Sequence, residues 1–274
     1  MTQNVQVKKS LLIATGLMLF ALFFGAGNLI FPAQLGQQAG EHVGSAMTGF
    51  LLTGAGLPLL GVIAIGYSGS QDVQELSSRV TKWYGLLFSV ALYLSIGPLF
   101  AIPRTATVSF EIGVLPFLGN IGGTSKSIAL ALTSIVFFAV SYWLAISPGK
   151  LVDRVGKVLT PMLLLCIAVL VIASVVLPMG GLQPSKGEWI TSPFVKGFLE
   201  GYNTMDALAS LVFAIIVIDA VKAMGVENKK QIMNLTMSAG VLAASFLAIV
   251  YVSIAYMGAT SVSVFGILEN GAKV

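Results

Sequence analysis

The chain has 274 residues, of which 56% are hydrophobic and only 9% charged, and it carries a formal net charge of +4. Ordinary soluble domains carry about 25% charged residues; with a mean hydropathy of +0.92, this composition excludes a soluble domain and indicates an all-α polytopic membrane protein. No pattern of basic residues interleaved with stacking aromatics points to nucleic acid, and Cys166 stands alone, so there is neither a disulfide framework nor a cysteine metal site.

Seven apolar runs reach the roughly 20 residues that a helix needs to cross the hydrocarbon. They lie near 10–35, 43–67, 83–105, 127–147, 158–179, 196–222 and 231–259. The segments between them are short and none has linker composition, so residues 1–274 read as a single membrane domain. With the N-terminus placed in the cytoplasm, ten basic residues fall inside: Lys8, Lys9, Arg79, Lys82, Lys150, Arg154, Lys157, Lys222, Lys229 and Lys230. Four fall outside, Lys126, Lys186, Lys196 and Lys273, with Arg104 in span three. That bias orients the N-terminus inward. The first run is too long for the apolar core of a secretory signal and is read as a retained span.

Span one carries Gly25-Ala26-Gly27-Asn28 at its middle. Backbone freed from helical bonding in lipid persists only where it lines a cavity or meets another group. The inner half-helix would end with free carbonyls near Phe24 and Gly25, which attract a cation, and the outer half would begin with free amides near Gly27 and Asn28, which attract an anion. A zwitterionic amino acid accompanied by a cation meets both requirements. Alternatively, Gly25 and Gly27 merely permit close helix packing, and Asn28 bridges two helices instead of offering oxygen to an ion. Phe20, Phe23, Phe24 and Phe31 surround the break; ordinary packing or lipid contact is their default reading, and beside a site they would suit an aliphatic substrate.

Between spans two and three, Asp72, Glu75, Arg79 and Lys82 fall at helical offsets, which predicts a short surface helix with i,i+3 and i,i+4 charge pairs. Gly66-Tyr67-Ser68-Gly69 has the GxSG form of an intramembrane serine protease. The single histidine, His42, belongs to the opposite end of span two, so nucleophile and base could not meet. Arg104 at the outer end of span three reads as an interfacial snorkelling side chain, or as a gate or charge partner for Asp206 or Glu200. Glu111 would share its face only if one helix ran through both.

Span six carries Glu200, Asp206 and Asp219, and Gly201-Tyr202-Asn203-Thr204-Met205-Asp206 gathers poor helix formers near its middle. A carboxylate at that depth costs about 2.5–3.5 kcal/mol on insertion scales, so Asp206 requires a partner: sodium, a proton or Arg104. Asp219 and Lys222 read as an interfacial i,i+3 pair, and Glu200 as hydrated. Interrupted spans at corresponding positions of two inverted halves point to a transporter binding site. Spans one and six correspond if residues 1–180 form a five-span repeat and residues 190–274 begin an inverted second one. That second repeat stops short of its later spans, so the chain reads as incomplete after about seven helices.

Three stretches carry a resemblance to a known family. Gly16 to Gly40 (GLMLFALFFGAGNLIFPAQLGQQAG), Gly97 to Glu111 (GPLFAIPRTATVSFE) and Gly197 to Ala209 (GFLEGYNTMDALA) resemble the bacterial branched-chain amino acid:cation symporters, also called branched-chain amino acid transport system II carriers. The resemblance implies import of leucine, isoleucine and valine across the bacterial cytoplasmic membrane, driven by sodium or, in some members, protons, with no cofactor and no enzyme activity. It also implies the plan of the amino acid–polyamine–cation superfamily, with inverted five-span repeats and unwound spans one and six. On that plan Gly25, Ala26, Gly27, Asn28, Tyr202, Asn203 and Thr204 are the expected substrate-binding positions. Phe24, Asn28 and Asp206 are the expected positions for the coupling ion. Relatives have about twelve spans, so the resemblance also marks the chain as an N-terminal part. The competing functions are a carrier for another small neutral amino acid, a non-functional fragment, a channel, or the hydrolase rejected above.

Overall fold

A computed structural model describes residues 9–119, 121–146, 160–176 and 179–268. Lys8, Lys150, Arg154, Lys157 and Lys273, five of the charges used to orient the chain, lie outside the described residues. Among the described residues the regular structure is entirely helical, as lipid requires of a spanning chain that is not a closed barrel.

The first predicted span is two helices, α1 (Lys9–Phe23) and α2 (Gly27–Ala39). The second is α3 (Val43–Leu51), a π-helical turn at Leu52–Gly56 and α4 (Leu57–Ser68). Gly40, at φ 46°, turns the chain between the two spans, and a 3-10 turn at Gly40–His42 joins them. Helical elements therefore follow one another from Gly27 to Ser68 with no loop residue between them, although the Glu41 amide leaves the helical pattern for the Gln183 carbonyl at 3.0 Å. This is one reason the seven expected spans become, among the described residues, five helices long and apolar enough to cross a membrane: 27–68, 82–113, 123–145, 193–223 and 229–265. Ser10–Phe23 and Pro161–Ala173 are shorter apolar helices.

The predicted surface helix is present as α5 (Val73–Ser78), but its charges cap instead of pairing. Asp72 Oδ1 accepts from the Glu75 amide at 2.7 Å and Glu75 Oε2 accepts from the Gln71 amide at 2.7 Å, a reciprocal N-terminal cap. Arg79 donates to the Ser68 carbonyl at 2.8 Å, which fastens the segment under the end of α4.

The third span is longer than predicted. It comprises α6 (Lys82–Leu94), a π-helical turn at Ser95–Leu99 and α7 (Ala101–Gly113), so one helix runs through both Arg104 and Glu111. Gly97 leaves helical geometry with ψ −121° and Phe100 has φ −140°, a kink that the Gly97-Pro98 pair explains. A short helix α8 (Leu115–Leu118) follows, then α9 (Gly123–Ala145), which has no buried residue, and α10 (Thr160–Val176). The last part is α11 (Glu188–Thr191), α12 (Pro193–Tyr202), α13 (Asp206–Ala223) and α14 (Lys229–Phe265).

The packed centre consists of α1–α4 with α12–α14, and small residues set its geometry. Gly16 lies against Leu242, Gly36 against Ala255 and Ala259, and Gly258 against the Ala33 carbonyl. Position increases together along both partners, so α1–α2 and α14 run in the same direction. Gly197 lies against Ala46, Gly49 against Phe194, and Gly61 against Ser210; α3–α4 and α12–α13 are likewise parallel. Gly54 faces Tyr251 while Val62 faces Gly240, so α4 and α14 are antiparallel. The two interrupted spans, α1–α2 and α12–α13, therefore run in opposite directions. The aromatic residues around the first break pack as their default reading expects: Phe20 stacks on Phe24 at 5.4 Å, and Phe23 meets Phe213 edge to face at 5.8 Å.

These glycine contacts yield a stability prediction. A Cβ at Gly197 would collide with the Ala46 carbonyl, whereas nothing lies within 4 Å of one at Gly44. Gly197→Leu is expected to destabilise the detergent-solubilised protein by about 1–3 kcal/mol or more, and Gly44→Ala to leave its melting temperature unchanged. Equal effects of the two substitutions would contradict this packing.

Candidate functional site

The predicted break in span one falls at Phe24, Gly25 and Ala26, between α1 and α2. The Phe24 amide still donates to Phe20 at 2.9 Å. The next amide, of Gly25, is diverted to the side-chain oxygen of Asn28 at 3.0 Å, the local competition by which asparagine interrupts a helix. Helical bonding resumes with the Asn28 amide on the Gly25 carbonyl at 3.1 Å. Among the described residues no hydrogen bond reaches the carbonyls of Ala21, Leu22, Phe23 or Phe24, and Pro32, inside α2, has no N–H for the carbonyl of Asn28. No side chain caps the N-terminus of α2. One break thus presents open carbonyls on one side and helix-start amides on the other.

The second break falls at Asn203, Thr204 and Met205, between α12 and α13. Met205 adopts a left-handed conformation with φ 67°, alone in this among the described non-glycine residues. Such a conformation costs roughly 1–2 kcal/mol, so surrounding contacts must hold it. Thr204 Oγ1 donates to the Gly201 carbonyl at 2.9 Å, and Thr53, from the π-helical turn of span two, donates to the Phe198 carbonyl at 2.7 Å.

The two breaks meet through side chains. Asn28 Nδ2 donates both to Asp206 Oδ2 and to the Tyr251 hydroxyl, and that hydroxyl donates to the same Asp206 oxygen at 2.8 Å. Asn28, Asp206 and Tyr251 are 2%, 4% and 0% exposed. The partner demanded by the mid-span carboxylate is therefore a closed triangle of neutral donors from α2 and α14. Tyr251 was absent from the sequence-based site. Its signal is a tyrosine at the middle of α14, far from either end, where the hydroxyl of a buried ring must find a partner. Phe50 fixes the ring edge to face at 5.1 Å.

Arg104 makes no direct ion pair with Asp206 or Glu200, although its charge and that of Asp206 interact; its hydrogen bonds go to backbone. Its Nη1 donates to the Asn203 carbonyl at 3.2 Å and its Nη2 to the Thr204 carbonyl at 3.3 Å. Asn203 turns its side chain away to Glu200 at 3.2 Å, which gives Glu200 a protein partner, and the Tyr202 side chain is exposed. The structure thus brings Gly25, Ala26, Gly27, Asn28, Thr204, Asp206 and Arg104 together, with Asn203 contributing its backbone. Asp219 and Lys222 form the expected pair at 3.1 Å on the exposed end of α13.

The hydrolase arrangement is absent. His42 Nδ1 lies 2.7 Å from Ser185 Oγ at the α2–α3 turn. Ser68, at the far end of α4, donates to the Ile65 carbonyl at 3.0 Å. A helical rise of about 1.5 Å per residue places the two residues on opposite ends of span two.

The closed triangle makes a testable energetic claim. Tyr251→Phe is expected to lower stability by about 1.5–3 kcal/mol, the range for a hydrogen bond to a charged group. In a double-mutant cycle with Asp206→Asn, the two effects are expected to couple by about 0.5–3 kcal/mol. Additive effects in thermal melts would show that the hydroxyl and the carboxylate act independently.

Comparison with known proteins places this geometry in a family. Residues 8–274 match the family described as branched-chain amino acid transport protein. The chain is 50% identical over 274 residues to the branched-chain amino acid permease BraB of Bacillus subtilis, covering 100% of this chain and 60% of the relative. It is 51% identical over 270 residues to the branched-chain amino acid permease BrnQ of the same organism, covering 98% of this chain and 60% of the relative. It is 47% identical over 263 residues to the branched-chain amino acid transport system 2 carrier protein of Pseudomonas aeruginosa, covering 96% and 59%. The chain therefore spans about 60% of the length of the curated relatives it matches. No solved structure matches it. With a family match over residues 8–274 and relatives named as permeases and carriers, the chain belongs to the branched-chain amino acid transport protein family.

Proposed function

We propose that this chain forms the ligand-binding part of a secondary active symporter. It would import leucine, isoleucine and valine across a bacterial cytoplasmic membrane, coupled to sodium or protons, by alternating access. One observation carries the reading: two antiparallel spans are interrupted where Asn28, Asp206 and Tyr251 join them. The names of the permease relatives support the substrate class. On this reading residues 1–180 and 190–274 belong to two inverted repeats of the superfamily plan, with the N-terminus in the cytoplasm.

The chemistry follows from the ends of the broken helices. The open Ala21 and Phe24 carbonyls, at the negative end of α1, would take a cation or the substrate ammonium, and the uncapped start of α2 at Gly27 would take the carboxylate. Phe24, Asn28 and Asp206 are the proposed positions for the coupling ion. Phe24 and Phe31, half-buried beside the break, would offer an apolar wall to an aliphatic side chain. A single methylene alters hydrophobic binding by only about 1–3 kcal/mol, so such a wall would admit leucine, isoleucine and valine together.

Labelled-leucine uptake into proteoliposomes under an imposed inward sodium or proton gradient tests this, using the 274-residue chain beside the full reading frame that contains it. Accumulation above equilibrium, inhibited by isoleucine and valine, is expected from the full frame. Equilibration without accumulation would indicate a passive pore, and uptake of a different neutral amino acid would replace the substrate. In the same assay Asp206→Asn is expected to weaken the cation dependence of uptake. An activation curve identical to that of the unmodified carrier would remove Asp206 from the coupling site.

A further inference from the structure

The two breaks are alike in their loss of helical bonding and unlike in what fills them. At the first, the Ala21 and Phe24 carbonyls are open. At the second, no described residue donates to the Glu200 carbonyl, but the other freed carbonyls are occupied by the protein itself: Gly201 by Thr204, and Asn203 and Thr204 by the two terminal nitrogens of Arg104. The occupant of the last two is a cation from a different span. It sits where a cation is favoured, beside carbonyls that follow the C-terminal end of α12. Its guanidinium carbon lies 5.6 Å from the Phe31 ring centroid on α2 and 5.4 Å from that of Phe100 at the start of α7, within the range of cation–π attraction. Gly27 makes room for it, since a Cβ there would lie 3.0 Å from Nη2.

We propose that Arg104 is a positioning residue, a tethered cation that permanently fills the carbonyl site of the second break and so leaves the first break as the place where transported cations bind. The proposal deepens the transport reading and rests on it. The planar fork suits the task where lysine would not, because two separate nitrogens serve two successive carbonyls while the flat group contacts aromatic rings. The anchorage also ties α7 to both interrupted spans. The π-helical turn at Ser95–Leu99 and the non-helical Gly97 separate α7 from α6, so Arg104 supplies a connection that helix continuity does not.

The test uses the full carrier in proteoliposomes and in detergent. Arg104→Ala is expected to lower the maximal rate of leucine uptake about tenfold or more, because two charge-assisted hydrogen bonds to the second break are lost. Millimolar guanidinium ion is expected to restore much of that rate and to raise the melting temperature of Arg104→Ala but not of the unmodified protein. Equal concentrations of sodium or tetramethylammonium should do neither, and Arg104→Lys should recover little. Should Arg104→Ala fail to fold, Arg104→Gln serves for the same melting measurement. Normal transport by a folded variant, full replacement by lysine, or no guanidinium effect on either rate or melting would overturn the proposal. Failure of the unmodified carrier to transport leucine would instead strike the underlying transport reading, while the melting response would still decide whether the second break holds a cation.

Discussion

A peptide group inside hydrocarbon has nowhere to turn but to other protein groups or a ligand, because no water is present to satisfy it. The packed centre is arranged around this constraint. Two helices are opened where that costs most, and the freed groups are then dealt with differently. At the second break Thr204 and Arg104 occupy the Gly201, Asn203 and Thr204 carbonyls; the first keeps the Ala21 and Phe24 carbonyls open. The Asn28–Asp206–Tyr251 triangle holds the two breaks in register and gives a buried carboxylate two neutral hydrogen-bond partners, with no direct ion pair.

Close helix approach makes that register possible. Glycine and alanine pairs bring α2 against α14 and α3 against α12 so tightly that a side chain at Gly36, Gly197 or Gly258 would enter a neighbouring carbonyl. In a bilayer, where burial of apolar surface gives no net drive between helices, such packing is the main source of association. The same contacts fix direction: α1–α2 parallels α14, α3–α4 parallels α12–α13, and the interrupted spans oppose one another. A transported molecule between them would meet the C-terminal end of one half-helix and the N-terminal end of the next, a polarity suited to a zwitterion.

Much of this was legible in the sequence because the breaks violate local rules. Gly25-Ala26-Gly27-Asn28 and Tyr202-Asn203-Thr204-Met205-Asp206 are poor helix sequences in otherwise apolar runs, and a mid-span aspartate advertises a partner. Tyr251 was not legible, since a tyrosine in an apolar stretch usually signals packing, and only the arrival of Asn28 and Asp206 from distant positions gives its hydroxyl a purpose. The contacts of Arg104 were not legible for a related reason. Its partners are backbone carbonyls about a hundred positions away, and a carbonyl leaves no mark in a sequence. The π-helical turns at Leu52–Gly56 and Ser95–Leu99 left clues in Gly54, Gly56, Gly97 and Pro98, but glycine in membrane helices serves packing as often as distortion. Span count was the coarsest reading, because hydropathy does not register a 3-10 turn such as Gly40–His42 that joins two spans without a loop.

The central claim is that a branched-chain amino acid lies between the two breaks, held chiefly by the first. Cryo-electron microscopy of the full carrier in nanodiscs with saturating leucine and sodium tests it most directly. The account predicts leucine density against Phe24 to Asn28, with Arg104 still on the Asn203 and Thr204 carbonyls. Leucine bound elsewhere, or an unbroken first span with the Gly25 amide returned to the helix, would contradict it.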